Sequence, residues 1–215
     1  MSKSVNERRL VASQLELRKN ADGTPVLEGY AAVFGARSED LGGFVEQIAP
    51  SAFTKTLKDG ADVRALLNHD ANFVLGRSTS GTLRMSTDTT GLHYEVDLGG
   101  QSYARDLAIS LERGDITQSS FGFRMVQDDW AADPEDESRA LRTLLEVKLF
   151  DVSPVTYPAY PDATSGLRAL EAAAERRGLD VATVDALLPK AAPVHVRKYA
   201  AARAIRNRAI LKVSN

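Results

Sequence analysis

The stretch Gly91 to Leu98, GLHYEVDL, alternates without a break: Leu92, Tyr94, Val96 and Leu98 share one side of an extended chain, and His93, Glu95 and Asp97 share the other. Successive strand side chains point to opposite faces, so this pattern specifies a sheet with one buried and one polar face. A helix would scatter the same apolar residues around its axis. Similar runs recur along the chain. Arg9 to Leu17 and Leu27 to Phe34 read as strands around the turn residues Asn20, Asp22, Gly23 and Pro25. Val63 to Leu67 is a compact apolar strand that runs into the polar turn Asn68, His69, Asp70, and GTLRMSTD reads as another. Later come ITQSSFGFRMVQ and the long RALRTLLEVKLFDVSPV, with the acidic loop AADPEDES between them. Helices are fewer. Phe53 and Leu57 follow Pro50 and stop at Gly60. Ala104, Leu107, Ala108 and Leu111 make Ser102 to Glu112 amphipathic, and Gly114 is placed to end that helix. The expectation is an α+β protein of about seven strands and two or three helices.

With 215 residues, 43% of them hydrophobic, the chain can fill one core with a small appendage beyond it. From Leu167 onward the character changes, as Ala, Leu, Glu and Arg recur with a helical period before Pro189 and Pro193 and a basic run from Arg197 to Lys212. We therefore divide the chain into a domain over 1–165 and a helical, basic extension over 166–215. A formal charge of −2 offers no overall grip on nucleic acid or an anionic membrane. No cysteine is present, which excludes disulfides, thiolate metal sites and a cysteine nucleophile. The N-terminal segment lacks the apolar run of a signal peptide or membrane span, so a soluble, unexported chain is expected.

The three histidines, at 69, 93 and 195, bound the search for a base that works near neutral pH. His93 sits among Glu95 and Asp97 on a polar strand face, and His195 lies in the extension between prolines and a basic run. Both read as ordinary solvated residues. His69 stands at a strand end, where a sheet can present a side chain to a cleft; the bland reading is a turn residue partnered by Asp70. In TQSSFGF, placing Phe121 and Phe123 in the core puts Ser119 with them and turns Ser120 and Gly122 to the opposite face. A hydroxyl beside a glycine leaves room for a peptide backbone, as an acyl-transfer nucleophile requires, but the local residues alone favour the ordinary reading of a polar residue on the open face of a strand. In LLEVKLFDV, Glu146 and Lys148 share the face opposite Leu145, Val147 and Leu149, and a carboxylate there could orient His69. There is no GxSxG elbow, phosphate loop, HExxH helix or calcium loop, and no cofactor or metal is expected.

The stretches EGYAAVFG, EQIAPSAF, LLNHD with LGRSTSGTLRM, GLHYEVDL, RGDITQSSFGF and LLEVKLFDVSPVTYPAYPDA occur in an order that resembles the tailed-phage prohead protease family, whose fold and mechanism are similar to those of the herpesvirus assemblins. The resemblance spans about residues 27 to 163. It implies a mostly antiparallel β-barrel surrounded by helices, with no metal in the mechanism. It places the base on His69 and the nucleophile on Ser120, with Ser119 as the alternative. Matching EVKLFDV to the assemblin segment that carries the orienting histidine puts Glu146 in the third position, with Asp151 as the alternative. The arginine pair that supports the assemblin oxyanion loop has no counterpart in LFDVSPVTYPAYP. The implied enzyme is a serine endopeptidase working inside the assembling procapsid in the host bacterial cytoplasm. Its expected partners are the major capsid protein and scaffold segments as substrates, together with further copies of itself. Neither nucleic acid nor membrane is expected as a partner.

Two other readings compete. One is a non-catalytic internal scaffold of the same fold, associating through the extension, in which Ser120 and His69 are replaceable. The other is a cell-wall glycosidase using two of the carboxylates Glu28, Glu46, Asp97 and Glu146, for which 7% aromatic residues offer few sugar platforms.

Overall fold

The computed structural model describes residues 6–11, 15–41 and 44–156. The expected boundary at 165 and the extension over 166–215 lie outside them, as does His195. In chain order the strands are β1 (Asn6–Val11), β2 (Glu16–Lys19), β3 (Pro25–Val33), β4 (Phe44–Ile48), β5 (Arg64–Leu66), β6 (Val74–Arg77), β7 (Leu83–Thr87), β8 (Gly91–Asp97), β9 (Gln118–Asp133) and β10 (Asp136–Val155). Helix α1 (Thr54–Lys58) lies between β4 and β5, and helix α2 (Ser102–Glu112) precedes β9.

The strands form two sheets. One runs β1-β9-β10-β5-β6, with β4 also paired to β10; the other runs β2-β3-β8-β7. The β4 and β5 pairings to β10 are parallel and the rest are antiparallel. The expected barrel is therefore corrected. Among the described residues the architecture is mixed α+β and mostly strands, with two α-helices and no closed barrel, because no ladder joins one sheet to the other. Arg9 to Leu17, read as one strand, is divided: β1 belongs to the first sheet and β2 to the second. The alternation that flagged GLHYEVDL works as expected, because β8 is a central strand with one face buried.

The core lies between the sheets. Phe121, Phe123, Val147, Leu149 and Val152 come from one, Leu27, Ala31, Leu92, Tyr94 and Val96 from the other, and Phe53, Ala104 and Leu107 close its sides. Phe121 stacks on Phe123 with centroids 5.0 Å apart and meets Phe53 edge-on at 5.6 Å. Burying each such side chain contributes about 1.5–3 kcal/mol.

The long hairpin of β9 and β10 is the frame of the site. Its tip takes up most of the segment read as an acidic loop, which instead pairs almost to the end. Asp133 accepts hydrogen bonds from the Glu135 amide at 3.0 Å, from Arg139 Nε at 2.7 Å and from Arg37. The Arg37 contact is the main reason its carboxyl is held down to about 2.

Candidate active site

Strand β9 presents the serines as its alternation requires. Ser119 faces inward with the phenylalanines. Its hydroxyl lies 3.0 Å from the buried Tyr94 hydroxyl and 3.4 Å from the Ser153 carbonyl, which accepts from it. Burial pushes the Tyr94 phenol well above its ordinary value, so it stays a neutral hydrogen-bonding group. Ser120 turns to the other face, where its Oγ lies 2.7 Å from His69 Nε2. The opposite imidazole nitrogen, Nδ1, contacts Asp151 Oδ1. A carboxylate against Nδ1 suits the tautomer that carries its ring proton there, which turns the Nε2 lone pair toward the serine. Ser153 Oγ donates to the same Asp151 oxygen at 2.9 Å.

His69 reaches this position through an unusual loop. After β5, Asn68 and His69 both take left-handed backbone conformations, with φ of 54° and 58°. For residues with a Cβ this conformation costs about 1–2 kcal/mol each. The loop is fastened to the end of β10 by Asn68. Its amide donates to the Pro154 carbonyl at 3.0 Å, its Nδ2 to Thr156 Oγ1 at 3.2 Å, and its Oδ1 accepts from the Thr156 amide at 2.8 Å. Asp70 is engaged elsewhere, accepting from the Asn72 amide at 2.9 Å.

Glu146 does not join this group. It stands opposite Gln127 on β10 and pairs with Lys55 Nζ at 3.4 Å, with its side chain 29% exposed. Its placement has a local cause. Leu149 pairs with Phe123 while Asp151 pairs with Gly122, so Phe150 and Asp151 together oppose a single residue. This bulge turns Asp151 and Ser153 to the Ser120 face, whereas unbroken alternation from Leu149 would have sent both into the core. The other carboxylates weighed for a glycosidase are also committed to cations, Glu28 to Arg18, Glu46 to Arg9 and Arg142, and Asp97 to Arg84. His93 meets Tyr30 edge-on at 5.2 Å, across the β3–β8 pair.

The arrangement is a hydroxyl, an imidazole and a carboxylate in series. It is largely buried: Ser120 is 0% exposed, and the His69 and Asp151 side chains are 5% and 14% exposed. Such a relay can move a proton off Oγ as the oxygen becomes a nucleophile and return it to a leaving group.

The prohead protease of Enterobacteria phage HK97 is 27% identical over 154 residues, which cover 70% of this chain and 63% of that protein. The chain thus matches less than two thirds of that relative's length. The structure of the bacteriophage T4 capsid assembly protease aligns over 71% of this chain and 99% of its own, with a TM-score of 0.41 and 14% identity. The family model described as caudovirus prohead serine protease matches residues 13–176, and the chain belongs to that family.

Proposed function

We propose that this chain is the serine endopeptidase of procapsid maturation, cutting scaffold and capsid-protein segments, and itself, inside the assembling particle in the host cytoplasm. The observation that carries the reading is the Ser120–His69–Asp151 relay, held on the two longest strands and one fastened loop. Family membership supports the reaction class.

In the proposed reaction Ser120 Oγ attacks the scissile carbonyl carbon while its proton passes to His69 Nε2. Asp151 holds the ring in the Nδ1-protonated form and stabilises the imidazolium. Collapse of the tetrahedral intermediate breaks the C–N bond, and His69 gives its proton to the departing amine. Water then attacks the acyl-enzyme with His69 again taking a proton, which returns to Ser120 Oγ as the acid product leaves.

The test is co-expression with the capsid and scaffold proteins encoded beside this chain, following fragment masses over time for the parent and for Ser120→Ala, His69→Ala and Asp151→Asn. Defined products from the parent that vanish in Ser120→Ala and His69→Ala are expected. Products that persist in both variants would overturn the assignment. Assembly without any products would favour the non-catalytic scaffold.

A further inference from the structure

We propose that Gly122 and Ser153 are positioning residues that seat the Asp151 carboxylate. The proposal rests on the relay described above. Gly122 lies directly across β9–β10 from Asp151, and Ser153 lies across from Ser120. The backbone does not require a glycine at 122, because its φ is not among the positive values found at Gly23, Gly35, Gly60, Gly81 and Gly114. What it requires is space. A Cβ at this position would stand 3.0 Å from Asp151 Cγ and 3.4 Å from Oδ1, with Oδ2 closer than either. The carboxylate therefore rests on the bare Cα of Gly122, in the room that a methyl group would fill.

A short side chain could swing away from such a methyl at little cost to the fold. This one is held at Oδ1 by His69 and by Ser153. Displacing it breaks the contacts that orient the imidazole, so the damage falls on geometry at the reacting atoms before it falls on stability. Ser153 supplies the second restraint. Its hydroxyl, fully buried, donates to Oδ1 and fixes which oxygen faces His69.

The experiment uses the full chain with isotope-labelled histidine and compares the parent with Gly122→Ala, Ser153→Ala and Ser120→Ala. Two readouts are taken: the chemical shift of the His69 Nδ1 proton, and the rate of cleavage with the melting temperature as a check on folding. Gly122→Ala is expected to melt close to the parent, to lose or strongly shift the Nδ1 proton resonance, and to cleave about 100-fold more slowly, with kcat rather than KM affected. Ser153→Ala removes one oxygen and leaves the space unchanged; it is expected to shift the same resonance and to slow cleavage about tenfold. Retention of both the resonance and the rate in Gly122→Ala overturns the seat. So does a rate loss in Gly122→Ala that only follows a lowered melting temperature. If Gly122→Ala does not fold, Ser153→Ala decides: an unmoved resonance overturns the proposal and a moved one supports it. The resonance is independent of proteolysis. A parent that never cleaves, with Gly122→Ala still moving the resonance, leaves the seat standing and removes the protease reading. A cleaving parent with an indifferent Gly122→Ala does the reverse.

Discussion

At the scale of single residues, the choice between Asp151 and Glu146 turns on one extra residue in β10. Counting by twos from Leu145 assigns Glu146 to the outer face and Asp151 to the core. Phe150 breaks that count, and nothing in the local sequence announces a bulge, since neither a glycine nor a proline marks it. The faces of Ser119, Ser120, Phe121 and Phe123 were legible because that part of β9 is regular. The expected consequence is asymmetric. Asp151→Asn keeps the shape but can present an amide donor to His69, disfavouring the useful tautomer, and kcat should fall by as much as about 10⁴-fold. Glu146→Gln loses one half-exposed pairing with Lys55 and should cleave at nearly the parent rate. Cleavage rates of the two variants on one substrate check both. Asn68 belongs to the same scale. Asn68→Ala removes the side-chain clamp on Thr156 while leaving a Cβ in the left-handed conformation, so it should slow cleavage and lower the melting temperature together.

At the scale of elements, β1, β4, β9 and β10 are tied by a buried ionic cluster that the sequence did not reveal, because its members lie up to 135 residues apart. Arg142, 0% exposed, donates to Glu7 at 2.8 Å, to Glu46 at 2.9 Å and to Asp128 at 2.9 Å, while Arg9 bridges Glu7 and Glu46. Burial alone would push the Glu7 carboxyl up, but Arg142 and Arg9 outweigh it and hold the group below its ordinary value. The linkage follows from that sign. The ionised Glu7 contributes stability above the pH at which an unfolded glutamate titrates, and the contribution is lost as pH falls through the lowered value. Acid titration followed by denaturant unfolding should show this loss in the parent and a flatter profile in Glu7→Gln. Arg142→Met should be harsher at neutral pH, since it leaves carboxylates buried without their cation, and should cost about 3–5 kcal/mol by urea unfolding. Hydrogen exchange should report the loosening first in β1, which is held to the sheet on one side only.

At the scale of the whole molecule, the sheet character was readable from the alternation of β8, but the two-sheet arrangement was not. A barrel and a pair of facing sheets bury the same apolar faces, and only the ladders at the strand edges tell them apart. That arrangement also encloses Ser120. Ser120 is flanked in register by Leu10 of β1 and Ser153 of β10, with His69 against its hydroxyl, and none of its surface meets solvent. A peptide carbonyl cannot reach Oγ until a neighbour moves, and of the two strands beside Ser120 it is β1, at the edge, that is held by a single ladder. The chain should therefore be slow to react as a dilute protein, by a closed geometry and not by a missing group. Diisopropyl fluorophosphate should label Ser120 slowly in the parent and not at all in Ser120→Ala. Mild urea, or Arg142→Met, should speed the labelling despite lower stability, because both free β1. Labelling of the parent at the rate of an open serine hydrolase would show that burial of Ser120 does not restrain it. Labelling that slows in Arg142→Met would mean that β1 supports the relay rather than closing it.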